Sequence, residues 1–354
     1  MGNKLTASVV GGGMGGRLSM TALAASDRFE LVAATDMRPA VCKELETLFP
    51  GLRTYASHTD MFAQTPTDVV CVSTWPPSHE QITSDALNAL PLRGILVEKP
   101  LADRVQAGRR ILESIRTKGL PMATPHNLLA LATPLEILAR VGRGELGALK
   151  LLEVQCNGWD IINAGIHWMN FFVNLVDCEP LDHVMALCEA STRTYRDGMQ
   201  VETTGVTYVQ TRSGIRAVMN TGDEVMLNGR REGVLFRIVG DAGQIEFWGW
   251  RPGFHILNAE FPTGTELECE EFDVTGHQRH LEQMAAQIDA GTPDYRIPES
   301  SLAALEICEG AYLSSRHRCK VRFPVDQFVP PPEPDWDPGR PYSGEGGGRD
   351  GRKL

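Results

Sequence analysis

The chain lacks several features that would place it in well-defined classes of protein. Its eight cysteines include no CxxC pair, which favours reduced thiols over a zinc site or a disulfide framework. No apolar run reaches the about 18 residues of a membrane-spanning helix. A charged region followed by an apolar segment, as in a secretory signal, is also missing, so we expect a cytoplasmic protein without a membrane partner.

Positive charge is also scarce, because the formal net charge is −11 at pH 7. Non-specific nucleic-acid binding needs a basic face, so we expect no nucleic-acid partner. The nine histidines and the acidic residues show no convincing metal-ligand spacing such as HxxxH. We therefore expect no bound metal, and the informative residues must be sought elsewhere.

The order of apolar runs and turn residues predicts an α/β fold with two domains, as the length of 354 residues suggests. Up to about residue 125, strands and helices alternate, which is typical of a doubly wound parallel sheet. Beyond it, short strands follow one another with few helices, which indicates an α+β domain. We predict divisions at residues 1–125, 126–325 and 326–354, the last being a tail rich in proline and glycine.

Four strands and four helices are predicted in the first part of the chain. Asp103 is the expected N-cap of the last of these helices. The strands are predicted over Leu5–Val10, Leu31–Thr35, Asp68–Ser73 and Gly94–Val97, and the helices over Met14–Ala25, Pro39–Phe49, Ser78–Ala89 and Asp103–Arg116.

A glycine motif, Gly11-x-Gly13-x-x-Gly16, directly follows the first strand and opens the first helix. This is the context that the dinucleotide fingerprint requires. Gly11 permits a tight turn, Gly13 allows the backbone to approach a pyrophosphate, and Gly16 allows close packing of helix on strand. Met14 belongs to the same loop. We predict that the pyrophosphate binds at the N-terminus of this helix.

The second strand ends in Asp36, which lies 20 residues beyond Gly16. A carboxylate at this place accepts hydrogen bonds from the ribose hydroxyls and repels a 2′-phosphate, which favours NAD. Arg38 follows two residues later, and its guanidinium could bind that phosphate or stack on the adenine. We therefore predict NAD as cofactor and leave NADP open as the alternative.

Two polar segments follow the next buried strands and should line the same cleft, because ligands bind at the carboxyl ends of parallel strands. One contains Thr74, Trp75, Pro76 and His79, and the other is Glu98-Lys99-Pro100. We predict that all of these residues except Lys99 and Pro100 contact the cofactor.

Taken together, the glycine motif, the Thr74 segment and Glu98-Lys99-Pro100 resemble the Gfo/Idh/MocA family of glucose–fructose oxidoreductase and inositol dehydrogenase. Two further elements extend the likeness to about Pro324, namely Gly142-x-Gly144-Glu145-Leu146-Gly147 and Ala311-Tyr312-x-Ser314-Ser315. The resemblance implies a Rossmann domain followed by a substrate-binding domain whose open, mostly antiparallel sheet also makes subunit contacts. It further implies a sugar, cyclitol or related polyol as substrate.

Members of this family commonly use a lysine, an aspartate and a histidine for catalysis, and the resemblance assigns these roles to Lys99 and His167. The aspartate normally lies four residues before the histidine, where this chain has Asn163. Another aspartate found in many members is replaced by Asn170. Because asparagine carries no charge, we predict a lower pKa for His167 than in relatives with the aspartate.

These residues suit the oxidation of a secondary alcohol. A histidine can accept the hydroxyl proton, and a lysine ammonium can stabilise the developing alkoxide. Asp160 lies seven residues before His167, and we hypothesise that it replaces the missing carboxylate. We expect the substrate to contact Lys99, His126, Asn127, Asp160 and His167.

Several aromatic and histidine residues near these motifs have simpler interpretations. Among the tryptophans beside the motifs, only Trp75 is expected to contact a sugar, because Trp159 and Trp168 fit a core better. His277 and His280 open a predicted helix, where a solvated helix end is the expected environment.

Two alternatives to a dehydrogenase remain open at this point. The first is a redox-neutral enzyme that holds NAD tightly and oxidises its substrate transiently, which permits elimination or glycosidic cleavage. The second is a non-enzymatic sensor that binds the cofactor. We expect a homodimer or homotetramer formed through the second sheet, with the tail after Pro330 contacting a neighbouring subunit.

Overall fold

The first part of the chain forms a six-stranded parallel sheet with helices between the strands. The computed structural model describes residues 4–189, 194–223, 225–227, 233–330 and 332. The strands lie in the order β3-β2-β1-β4-β5-β6, so the predicted doubly wound sheet is confirmed. The elements are β1 (Leu5–Val10), α1 (Met14–Ala25), β2 (Phe29–Thr35), α2 (Pro39–Leu48), β3 (Arg53–Tyr55), α3 (His58–Gln64), β4 (Val69–Val72), α4 (His79–Ala89), β5 (Gly94–Val97), α5 (Val105–Thr117) and β6 (Met122–Ala123).

Three of these elements and one helix cap differ from the sequence prediction. β3, α3 and β6 are short, and segments of two to seven residues show too little periodicity to be recognised. The predicted cap at Asp103 is wrong, since Arg104 is the N-cap of α5 and makes no side-chain cap hydrogen bond. Instead, the N–H of Val105 donates to Oε2 of Glu309 at 2.6 Å, so a distant side chain satisfies this helix end.

The second part of the chain forms a nine-stranded sheet, in the order β16-β15-β14-β13-β7-β12-β11-β8-β17. In the part of this sheet that the structure describes, only the β12–β7 pair is parallel, so the predicted mostly antiparallel sheet is confirmed. The elements are α6 (Ala132–Gly142), β7 (Leu149–Asn157), α7 (Ile166–Leu175), β8 (Leu181–Cys188), β9 (Thr194–Arg196), β10 (Met199–Val201), β11 (Thr204–Thr211), β12 (Arg216–Gly222), β13 (Val234–Gly240), β14 (Gln244–Trp248), β15 (Phe254–Leu257), β16 (Thr265–Leu267), α8 (Gly276–Ala290), α9 (Arg296–His317) and β17 (Val321–Arg322).

Helix α7 packs on this sheet through aromatic side chains. Trp168 and Phe171 lie edge-on to Phe236 of β13, with ring centroids 5.3 and 5.8 Å apart, and Phe236 stacks on Phe247 of β14. A π-helical turn over Ile161–Gly165 leads into α7. Helix α7 is buried from Ile166 to Val173, and apart from His167 and Asn170 this stretch is apolar.

Helix α8 belongs to the second part of the sequence but packs on the parallel sheet. Leu281, Met284 and Ala285 lie in the same core cluster as Leu5 of β1 and Leu96 of β5. This packing brings the first turn of α8 to the carboxyl end of β5. The domain divisions at residues 125 and 325 stay a prediction.

The tail that was expected to contact a neighbouring subunit lies largely outside the described residues, which end at 330 and 332. Within the described part of the chain, no helix combines the length and the apolar character needed to cross a bilayer.

The packing of α8 on the parallel sheet predicts the effect of a truncation. Leu281→Ala should lower the free energy of unfolding by about 2–5 kcal/mol, because Leu281 is fully buried. Gln283→Ala, on the exposed side of the same helix, is the control and should change it by less than about 0.5 kcal/mol. Urea unfolding measures both, and equal effects of the two substitutions would contradict this packing.

Candidate active site

The glycine loop after β1 has the backbone geometry that its sequence predicts. Gly11 has a φ of +107°, and a Cβ there would lie 2.4 Å from the carbonyl oxygen of Ser73. A Cβ on Gly16 would lie 1.8 Å from the carbonyl oxygen of Gly11. In contrast, a Cβ on Gly13 would meet no described atom within 4 Å. The loop is therefore tightly packed on its inner side and open above Gly13.

The N-terminus of α1 is suited to bind an anion in that open space. Gly13 is the N-cap without a side-chain hydrogen bond, and the first turn carries no acidic residue. The first N–H groups of the helix thus remain for a ligand, and the helix dipole favours a negative charge there. Met14, the first residue of α1, is 80% exposed beside this open space. These features fit the pyrophosphate of a dinucleotide.

Asp36 at the end of β2 is held by hydrogen bonds on both carboxylate oxygens. Arg38 donates from Nε and from a terminal nitrogen, each at 2.9 Å, and the N–H of Gly12 also donates at 2.9 Å. The hydrogen bond from Arg38, followed by those from the backbone, keeps the pKa of Asp36 below its ordinary value although burial opposes this. An ionised carboxylate therefore lies directly beside the glycine loop.

The loop after β4 is held in place by hydrogen bonds of His79. Its Nε2 lies 2.9 Å from the carbonyl oxygen of Thr74 and its Nδ1 lies 3.2 Å from that of Leu101. His79 and Pro76 are buried, whereas Trp75 is 63% exposed. The contacts of His79 thus join the Thr74 loop to the segment after β5, and a direct contact of His79 with the cofactor stays a prediction.

Glu98 is buried beside the glycine loop and pairs with His277 of α8, whose Nε2 lies 2.9 Å from Glu98 Oε1. Burial works against ionisation, but the hydrogen bond from His277 and the nearby charges keep the pKa of Glu98 low. A Cβ on Gly15 would lie 3.2 Å from this carboxylate. The predicted solvated environment of His277 and His280 is wrong, because both are buried under the cleft.

Lys99 joins the two halves of the site. Its Nζ donates to the carbonyl oxygen of Asn163 at 2.8 Å. Burial lowers the pKa of Lys99, and the negative charges of Glu98, Asp197 and Asp160 partly compensate. The lysine at the end of β5 and the asparagine before α7, predicted from distant motifs, are thus in contact.

Asn163 and Asp160 are linked in a way that the sequence did not suggest. The side-chain amide of Asn163 donates to both oxygens of Asp160, at 3.0 and 3.1 Å, and its N–H donates at 2.7 Å. Arg196 also donates to Asp160, at 2.8 Å. The Asp160 side chain is only 1% exposed, and its contact with the substrate stays a prediction. Its carboxylate fixes Asn163 and Arg196.

His167 lies on the buried first turn of α7, with its ring edge-on to those of His126 and Trp250 at 5.2 and 6.3 Å between centroids. Its Nδ1 is enclosed and has no hydrogen-bond partner among the described residues. Burial, and then the positive charge of Lys99, lowers the pKa of His167 well below its ordinary value. The ring is therefore neutral at pH 7. The predicted difference from relatives that carry the aspartate stays a prediction.

His126 and Asn127 lie beneath the site. His126 is fully buried, with Nε2 2.8 Å from the hydroxyl oxygen of Ser301, and its contact with the substrate stays a prediction. The side-chain oxygen of Asn127 is enclosed and unpartnered among the described residues, where a Cβ on Gly276 would approach it to 2.9 Å. His126 thus lies beside His167, and Asn127 lies beside Gly276 at the start of α8.

The tryptophans surround the site differently from the prediction. Trp168 is buried in the core as expected. Trp159, which was expected in the core, is 48% exposed. The guanidinium of Arg196 lies over its ring, 4.8 Å from the ring centroid. Trp250, which is 49% exposed, was missed by sequence reasoning, because no motif links the loop after β14 to His167.

Known proteins resemble this chain in the sequence of its N-terminal part and in its fold. Residues 5–126 match the family model described as an oxidoreductase family with an NAD-binding Rossmann fold. A search of curated proteins found no significant match.

Among solved structures, similar folds include the WlbA dehydrogenase of Chromobacterium violaceum with NADH and UDP-GlcNAcA, at 21% identity and a TM-score of 0.73 over 91% of this chain and 97% of that one. The aldose–aldose oxidoreductase of Caulobacter crescentus, complexed with glycerol, has 18% identity and a TM-score of 0.76 over 90% and 100%. An oxidoreductase of Agrobacterium radiobacter with NAD+, L-tartaric acid and magnesium has 15% identity and a TM-score of 0.77 over 90% and 98%.

The N-terminal part of the chain, residues 5–126, therefore resembles an oxidoreductase family with an NAD-binding Rossmann fold. The resemblance to the Gfo/Idh/MocA family, predicted from the motifs, is confirmed over residues 5–126. Beyond these residues, the solved structures show a shared fold.

The buried histidines predict an acid-sensitive fold. Burial lowers the pKa of His79, His126 and His167, and that of His280 to about 4. Below pH 6.5 the unfolded histidines bind protons while the folded ones do not, so stability falls as the pH drops. Each such histidine should cost about 1 kcal/mol between pH 7 and pH 5.5.

Urea unfolding at several pH values, with His280→Gln beside the wild type, measures this dependence. The substitution should make it shallower, and His317→Gln at an exposed position should not change it. A free energy of unfolding that stays constant between pH 7 and pH 5.5 would contradict the neutral state of these histidines.

Proposed function

We propose that the protein is an NAD-dependent dehydrogenase or reductase that acts on CH–OH groups. It transfers a hydride between the nicotinamide and a hydroxyl- or keto-bearing carbon of a sugar, sugar derivative or cyclitol. One observation supports the proposal most strongly: Lys99, which follows β5, donates a hydrogen bond to Asn163 in the turn before α7. The N-terminus of α1, which has no side-chain cap, belongs to the same parallel sheet domain and is free to bind the cofactor. The bound cofactor supplies the hydride acceptor or donor.

His167 exchanges the hydroxyl proton of the substrate. Because the lowered pKa keeps the imidazole neutral at pH 7, it is ready to accept a proton during alcohol oxidation. Nδ1 is enclosed, so Nε2 is the nitrogen through which this exchange takes place. In the reverse direction the protonated ring returns the proton to the alkoxide oxygen.

Lys99 orients the substrate oxygen and stabilises its developing negative charge. One of its three protons is fixed on the carbonyl oxygen of Asn163, which leaves two for the substrate oxygen and its neighbours. Asn163 positions Lys99 through this carbonyl group, while its own amide is fixed by Asp160. The backbone carbonyl of Asn163 therefore orients Lys99, and the hydrogen bonds between its side chain and Asp160 fix this segment.

The substrate class is supported by the exposed tryptophans and by the similar folds. Trp75, Trp159 and Trp250 present aromatic faces around the site, and such faces suit the apolar faces of sugar rings. The solved structures with this fold include a complex with UDP-GlcNAcA and a levoglucosan dehydrogenase with NADH and levoglucosan. Neither redox-neutral chemistry nor a sensor is favoured by a feature of this site.

We also propose a homodimer or homotetramer formed through the open face of the nine-stranded sheet. Met185 and Leu187 of β8 and Val206 of β11 are exposed there on neighbouring strands. Their apolar surface would be covered by a second subunit.

The experiment that tests the function is absorbance at 340 nm with NAD or NADP and a panel of sugars, sugar acids and cyclitols. The proposal expects a rise with one substrate class. Bound NAD retained through purification, without net NADH formation on any substrate, would instead indicate redox-neutral chemistry.

A substitution of Lys99 separates its catalytic role from cofactor binding. Lys99→Met should lower kcat/KM by about 10²–10³-fold, the usual cost of removing one oxyanion donor, and leave the Kd of NADH within a few-fold. Lys118→Met, at an exposed position, is the matched control and should change neither quantity. Unchanged turnover in Lys99→Met would contradict the assigned role.

Cofactor preference should depend on Asp36. Asp36→Ala removes the carboxylate that would repel a 2′-phosphate and frees Arg38 to bind it. The ratio of the NADPH and NADH dissociation constants should fall by about tenfold or more, since like charges in contact cost several kcal/mol. Fluorescence titration measures both constants, and the double variant with Arg38→Ala should lose the gain. An unchanged ratio in Asp36→Ala would refute the preference for NAD.

A further inference from the structure

A small hairpin stands beside the active site without belonging to either large sheet. Within the described residues, strands β9 and β10 pair only with each other, with Arg196 opposite Met199. Asp197 and Gly198 form the turn between them, with φ values of +49° and +77°. Two residues in the left-handed region are typical of a tight hairpin turn, for which an Asp-Gly pair is favoured. The sequence therefore defines the shape of this turn.

Contacts on both sides fix the turn over the cleft. On one side, Arg196 donates to Asp160 at 2.8 Å and lies over the ring of Trp159 at 4.8 Å. On the other side, a Cβ on Gly198 would lie 3.0 Å from the ring of Trp75, which follows β4 of the parallel sheet. Asp197 is the residue between these two anchored neighbours. It therefore lies between the Trp75 loop and the Asp160 segment, where Lys99 is located.

We propose that this hairpin is a wall of the active site and that Asp197, on its turn, is a positioning residue whose negative charge acts on the ammonium of Lys99 as a charge partner beyond contact distance. In this role Asp197 supplies, from a different element, the negative charge that Asn163 lacks. The proposal deepens the proposed function, because Lys99 is the residue assigned there to orient the substrate oxygen.

The other charged groups facing Lys99 have partners of their own. Glu98 is bonded to His277, and Asp160 is bonded to Asn163 and Arg196. Asp197 has no hydrogen-bond or ion-pair partner among the described residues, yet its charge acts on Lys99 together with those of Glu98 and Asp160. His126 and His167 also face Lys99, and they are neutral at pH 7. Asp197 is therefore the carboxylate available to Lys99.

Pulse acylation of amines with acetic anhydride tests this charge interaction on the full chain without cofactor or substrate. Mass spectrometry of the Lys99 peptide as a function of pH gives the pH of half-maximal labelling, and the exposed Lys118 is an internal reference. Asp197→Asn keeps the shape of the side chain, and asparagine tolerates a positive φ. Removing the negative charge should lower the half-labelling pH of Lys99 by about half a unit or more.

Asp177→Asn is the matched control, because Asp177 is also an exposed aspartate with a φ of +49° but lies in the turn after α7. It should leave the labelling of Lys99 unchanged, and Asp197→Glu should restore most of the wild-type value. Equal labelling curves for Lys99 in the wild type and Asp197→Asn would overturn the proposal. Because the readout needs no turnover, a missing dehydrogenase activity would refute the proposed function and leave this result interpretable.

Discussion

The hydrogen bond from Lys99 Nζ to the carbonyl oxygen of Asn163 joins the two halves of the molecule at the point where chemistry takes place. Lys99 ends a strand of the parallel sheet, and Asn163 belongs to the π-helical turn that leads into α7. The turn is itself fixed at its start, since the N–H of Ile161 donates to Glu202 at 2.7 Å and Tyr312 donates to the other oxygen of Glu202. The position of one ammonium group thus depends on residues from both parts of the chain.

A second constraint on the site is that each buried titratable group must either be paired with an opposite charge or remain neutral. Charged side chains in an enclosed cleft must be paired, and here Glu98 has His277 and Asp160 has Arg196. The histidines around Lys99 avoid the cost of a buried charge by remaining neutral. A neutral imidazole beside an ammonium is the arrangement that alcohol oxidation requires, so stability and chemistry favour the same protonation states.

The motifs of the parallel sheet could be predicted because each one is local. The glycine loop, Asp36 and Lys99 all lie at strand ends that the apolar runs reveal, and the structure places them there. The contacts of His277, Trp250 and the Arg196 hairpin could not be predicted, because they depend on how α8 and the second sheet fold back over the first. The burial of His126 and Asp160 could not be predicted either, because it comes from packing between segments that are distant in the sequence.

The most direct test of this account is a crystal structure of the protein with NAD. The account predicts the pyrophosphate on the N–H groups at the start of α1, above Gly13, with the nicotinamide ring facing Lys99 Nζ and His167. The remaining space should accept a substrate carbon at about 3–3.5 Å from the ring. A nicotinamide ring directed away from Lys99, or a pyrophosphate that does not contact α1, would contradict it.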